Sequence, residues 1–223
     1  MEIVLVVLVA LIVVGLMVLG RWVEHRRTEA MAAVATRLGL GFRADKDRDL
    51  ASRLELLDKL DQGSNRYVFN CLDGEYEGEP VMIFDYHYET YSHSKHGRRT
   101  QHHRFTVAML VLPRTFPELL ISPEGLLSKL AQAIGYEDID FESAEFSRAF
   151  CVRSRDKKFA YDVCHGLMME FLLRHRDLTI ELDGNVLALL FEPRLEPLEI
   201  ERRLHQLMEL RRLLPAYLFA KVS

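Results

Sequence analysis

From Ile3 to Gly20 the chain reads IVLVVLVALIVVGLMVLG, a run without a single charge. At about 1.5 Å per residue it makes roughly 27 Å of helix, close to the hydrocarbon thickness of a bilayer. Only Met1 and Glu2 precede it, and the following LGRWVEHRR has no small-x-small cleavage site. A retained anchor is therefore expected rather than a cleaved signal peptide. Trp22 stands where interfacial aromatics collect, and Val23 extends the span. Arg21, Arg26 and Arg27 follow the span and no basic residue precedes it. The positive-inside rule then puts the amino end outside and residues 21–223 in the cytoplasm, at the inner (plasma) membrane.

The remaining chain is long enough for one domain of ordinary size. A net charge of -4 argues against nucleic acid as a partner, because phosphate backbones are bound by clustered excess Lys and Arg. Three cysteines, Cys71, Cys151 and Cys164, make an odd number without a CxxC pair. They read as buried small hydrophobes in a reducing compartment.

Three segments organise the chain: a transmembrane helix over 1–23, a helical juxtamembrane stalk over 24–39, and a cytoplasmic domain over 40–223. In the stalk, Ala30, Met31, Val34 and Leu38 recur at helical spacing. DKDRDLASRLELLDKLDQG predicts an amphipathic helix with Leu50, Leu54, Leu57 and Leu60 on one stripe. The period then shortens to two. Strands are expected over RYVFNCL and from about 80 to 91 and 100 to 112, with Asp73-Gly74 as a hairpin turn. Ser122 is expected to cap a helix running to about Ile134, and DIDFES and FSRAFCVRSR to form short strands. DKKFAYDVCHGLMMEFLLRH predicts one helix burying Ala160, Val163, Cys164, Leu167, Met168 and Phe171. LTIELDGNVLALLFE predicts a second hairpin at Asp183-Gly184-Asn185, and EPLEIERRLHQLMELRRLLP a closing amphipathic helix. Runs of strands mixed with helices make this an α+β chain: a transmembrane helix, then one domain with a mainly antiparallel sheet packed by amphipathic helices.

YHYETYSHSKHGRRTQHHRF, residues 86–105, holds five of the nine histidines. Strand parity divides them. Met82, Phe84, Tyr86 and Tyr88 share an aromatic face, and Ile83, Asp85, His87 and Glu89 share the other. On the partner strand, His102, Arg104 and Thr106 lie opposite the second set, so acidic and basic residues meet across the ladder. His103 lies on the aromatic side, and His93 and His96 fall in the turn. What can converge is Asp85, His87, Glu89 and His102, two imidazoles and carboxylates suited to zinc or iron. No fixed ligand spacing such as HExxH supports them, so no metal, catalytic residue or cofactor is assigned from sequence.

Other templates fail more plainly. There is no GxSxG, no P-loop and no dinucleotide fingerprint. Cys164 and His165 are adjacent, and on a helix neighbours point about 100° apart, which does not set a nucleophile against its base. RSRDKK, residues 153–158, is a basic corner that could meet anionic lipid but reads as solvated surface.

FNCLDGEYEGEPVMIFDYHY, the basic loop after it, TVAMLVLP and FSRAFCVRSRD together resemble an uncharacterised family of bacterial single-pass membrane proteins, whose FDY and FS segments recur. The resemblance spans most of residues 1–195. It implies a bacterial source and a membrane location, and it carries no activity, ligand or catalytic residue. The expected function is a membrane-anchored interaction or scaffolding module without catalysis; its partners are the membrane, through residues 3–23, and a protein, which could be a second copy of the chain. The alternative is a metal sensor or hydrolytic enzyme using the polar face of the 80–112 hairpin.

Overall fold

The computed structural model describes residues 2–94, 97–125 and 138–220. Helix α1 runs unbroken from Glu2 to Leu38. Its two halves meet different surroundings. The large apolar side chains from Val4 to Val23 are exposed, whereas Met31, Val34 and Ala35 are buried. The first half is long and apolar enough to cross a membrane. Residues 24–38, expected as a stalk, continue the helix and bury their apolar stripe in the core of the domain.

The domain is built on one six-stranded antiparallel sheet: β1 (Gly41–Arg43), β2 (Ser64–Tyr76), β3 (Glu79–Ser94), β4 (Gly97–Pro123), β5 (Phe150–Ser154) and β6 (Thr179–Phe191). Strand β4 is its axis. Along one edge, β6 pairs with it from Thr106 to Ile121. On the other edge β3 pairs with its first half and β5 with its last five residues. One face is covered by the second half of α1 together with α3 (Ala144–Ala149), α4 (Lys157–Val163), α5 (Gly166–Arg174) and α6 (Ile200–Leu213). The opposite face carries Phe84, Tyr86, Tyr88, Phe105, Val107 and Met109 under the leucines of residues 50–60. The α+β architecture is as expected, and so is the parity of β3: Asp85 pairs with Thr106, His87 with Arg104 and Glu89 with His102.

Several local expectations give way. The hairpin turn is Glu77-Gly78, not Asp73-Gly74, and β2 runs straight through Gly74. Gly74 lies close to Leu40, whose Cδ2 would stand 3.0 Å from a Cβ placed there. Asp183-Gly184 likewise lies inside β6, paired with Phe116 at an irregularity in the ladder. Residues that tolerate left-handed backbone serve bulges as readily as turns, which is why the dipeptide misleads. Glu77 (φ 50°) and Gly78 (φ 82°) form a tight turn with open space around the glycine. Gly78→Ala is therefore expected to cost about 1 kcal/mol through backbone conformation alone. Denaturant unfolding of the full-length chain in a mild detergent measures it.

Helix α2 covers only Arg48–Arg53, capped by the Asp47 carboxylate, yet all four leucines of its expected stripe are buried. FSRA is helical in α3, and residues 138–143 form no strand. The helix expected over 156–175 breaks at Cys164-His165 into α4 and α5, which changes its phase and leaves Leu167 exposed. Ser122 and Pro123 belong to β4 and start no helix; residues 126–134 of that expected helix lie outside the described ones, as does His96. Strand β3 extends to Ser94, so His93 is paired with Arg98 rather than placed in a loop.

Candidate functional site

The polar face of β3 is not open to solvent. The turn of α1 just past the span lies on it, and three residues at i, i+3 and i+4 reach four parts of the domain. Arg27 donates from Nε and Nη2 to the two Asp85 carboxylate oxygens, both at 2.7 Å, and from Nη1 to the Leu195 carbonyl at 2.8 Å. Asp85 is fully buried and also accepts from Thr106 Oγ1 at 2.9 Å and Asn70 Nδ2 at 3.1 Å. Thr28 donates to Asn70 Oδ1, which fixes the orientation of that amide. Glu24 takes Arg194 through both oxygens, at 2.7 and 2.9 Å, and Arg104 at 2.8 Å. The hydrogen bonds from Arg194, and the charges of Arg194, Arg104 and Arg27, outweigh partial burial and hold the Glu24 carboxyl below the usual carboxylate range.

Asp85 is thus committed to a clamp on α1. Its expected companions sit further along the same face, His87 one rung on and Glu89 with His102 two rungs on. His87 is buried, with Nδ1 3.2 Å from the Asn65 carbonyl and Nε2 3.2 Å from His102 Nδ1. Since a carbonyl only accepts, Nδ1 carries the proton and the Nε2 lone pair points outward. Burial holds the imidazole below the ordinary histidine range, despite the Asn65 contact. Tyr67 stacks on the ring at 4.4 Å. Glu89 Oε1 lies 3.4 Å from His102 Nδ1. Its two oxygens accept from Asn65 Nδ2 at 2.7 Å and Tyr91 at 2.9 Å, bonds that keep its pKa low. His102 is mostly exposed. His103 is on the far face, stacked on Tyr88.

The structure brings three of the four sequence candidates together and separates Asp85 from them. What sequence reading missed is α1: Glu24, Arg27 and Thr28 carry no motif, and Arg194 lies in an irregular segment. The signal available was the charge pair itself, an aspartate directly after the apolar VMIF of β3 and arginines just past the apolar run of α1.

The remaining sequence candidates are inert. Burial pushes the Cys164 thiol up to about 12, and His165 contacts the Leu213 carbonyl. All three cysteines are buried and free. Asp156 caps α4, which places RSRDKK at a strand-to-helix corner.

No protein-family model matches the chain, and no curated protein does. Among solved structures, the crystal structure of the mycobacterial trehalose monomycolate transport factor A matches 86% of this chain and 96% of its own, at 16% identity and a TM-score of 0.57. At that identity the likeness is one of fold, and the chain shares with that factor the antiparallel α+β architecture described above.

Proposed function

We propose that the chain is a membrane-anchored interaction module. Its amino end lies outside, its domain is a docking platform on the cytoplasmic side of the inner membrane, and it does no chemistry of its own. The observation that carries this reading is the clamp of Glu24, Arg27 and Thr28. Those residues begin one position past Val23, so the sheet is bolted to the anchor at the membrane surface and cannot swing as a tethered domain would. A platform of fixed height and orientation suits a partner that is itself in the membrane, including a second copy. The fold shared with a transport factor supports an accessory role in membrane transport, and the resemblance of the FDY and FS segments supports a bacterial source.

Glu209 is exposed on α6 and the native thiols are buried, so Glu209→Cys adds one reactive thiol. It is expected to react with a membrane-impermeant maleimide only after the cells are opened. Labelling in intact cells would reverse the topology. After crosslinking in native membranes, the tagged full-length chain is expected to purify with an integral membrane protein or with itself. Recovery as an uncrosslinked monomer would sink the platform reading.

A further inference from the structure

We infer that His87, Glu89 and His102 form a binding site for a zinc-class divalent cation. The three offer ligand atoms that all lie within 4.8 Å of one another. Two ligands at 2.0–2.1 Å from a tetrahedral ion stand about 3.3 Å apart. His87 Nε2 and His102 Nδ1 are 3.2 Å apart, and His102 Nδ1 and Glu89 Oε1 are 3.4 Å apart. Two edges of a coordination tetrahedron are thus already set. The third, between the His87 and Glu89 ligand atoms, is no longer than 4.8 Å and closes by a shift of at most about 1.5 Å.

The surroundings are those of a metal site rather than of a chance pair. A metal-ligating imidazole ordinarily donates its other N–H to a carbonyl or carboxylate, which fixes tautomer and ring orientation. His87 does so to the Asn65 carbonyl, with Tyr67 stacked on the ring. Asn65 also donates to Glu89 through its side chain, and Tyr91 holds the second carboxylate oxygen. In the metal-free chain His87 Nε2 has an imidazole for its neighbour; an ion between the two rings replaces one weak hydrogen bond by two ligand bonds. Two imidazoles and one carboxylate favour zinc and similar transition ions over magnesium or calcium, which prefer oxygen ligands. The fourth position faces solvent beside His102 and takes water.

The site's place in the fold gives it a consequence. Stepping from Arg27 to Glu24 along α1 moves the contacts from the Asp85–Thr106 rung to the His87–Arg104 rung. The Glu89–His102 rung is the next one toward the membrane. A bound ion would join β3 to β4 there and stiffen the outer half of the hairpin beside the emerging helix.

Full-length protein in detergent micelles, stripped with chelator and titrated with zinc against a chromophoric competitor, tests the site. One equivalent per chain should bind with a Kd of about 1 μM or tighter. Cobalt in its place should give the visible bands of a tetrahedral complex. Because His102 is exposed, His102→Ala should unfold at the wild-type temperature without metal while binding zinc at least about 30-fold more weakly, and Asn65→Ala should weaken binding about tenfold. His103→Ala, on the opposite face, should bind as wild type. Zinc binding no tighter than about 1 mM, or binding unchanged in His102→Ala, would overturn the site and leave only adventitious surface histidines.

Discussion

Arg27→Met should destabilise the full-length chain by about 3–5 kcal/mol, the range for removing one partner of a buried ion pair. The guanidinium is 10% exposed and its carboxylate partner 0%. Removing it strips Asp85 of its two shortest hydrogen bonds. Thr106 and Asn70 remain, with Arg194 at 3.6 Å, too long for a good hydrogen bond. It also orphans the Leu195 carbonyl. Most of the loss comes from leaving a charge buried and underpaired rather than from the strength of the pair. The double variant Arg27→Met/Asp85→Leu should therefore be more stable than Arg27→Met alone, because no charge is then left without its counterion. Chemical unfolding in mild detergent, followed by far-ultraviolet circular dichroism, measures both. A single variant within about 1 kcal/mol of wild type would show that the clamp is solvated and contributes no more than a surface pair. The functional consequence follows the energetic one. Without Arg27 the joint keeps the Glu24 and Thr28 contacts and the buried Met31, Val34 and Ala35 but loses its buried ion pair, and crosslinking to the proposed membrane partner should fall with stability of the joint rather than with loss of the fold.

The same clamp explains what could and could not be read from the chain. Parity placed Asp85, His87 and Glu89 on one face and set them as a group against His102, Arg104 and Thr106, because period-two alternation is a local property of a strand; the register of the pairs it left open. It could not say what covers that face. Arg27 meets Asp85 across 58 positions and Glu24 meets Arg194 across 170, and no periodicity reports such contacts. Turn chemistry misled for a related reason. Asp73-Gly74 and Asp183-Gly184 permit a turn, but whether one forms depends on what the strand pairs with next. Burial was more legible than conformation: Leu54, Leu57 and Leu60 are in the core as their spacing suggested, although no helix presents them beyond Arg53. The histidine pair was visible as a possibility. Its orientation by Asn65 was not, since that residue reaches it from a bulge in β2.

Glu181→Gln should stabilise the protein increasingly as pH rises from about 5 to 8 and flatten its dependence on pH. Glu181 is fully buried on β6, on the face beneath residues 50–60. One oxygen accepts from the Asp58 backbone N–H, and Oε2 has no hydrogen-bond partner among the described residues. Burial, opposed by that backbone bond and reinforced by the Asp58 charge, pushes its pKa up to about 8. Nearby Glu118 is raised to about 7, again first by burial and then by its hydrogen bond with Asp58. A carboxyl raised in the folded state keeps a proton that the unfolded chain releases at an ordinary pKa of 4.5. Between those two values the folded state binds more protons, so stability falls as pH rises, by about 1.4 kcal/mol per unit for each such group. From pH 5 to 8 the wild type should lose a few kcal/mol on this account. The carboxamide of Gln keeps an acceptor for the Asp58 N–H and cannot ionise. The variant should match wild type near pH 5 and exceed it by about 2 kcal/mol or more at pH 8.5, with Glu118 supplying the slope that remains. Unfolding midpoints across that pH range decide the matter. Parallel curves for the two proteins would mean that Glu181 is ionised throughout, and then the sheet under residues 50–60 would have to hold a counterion or water that reaches Oε2.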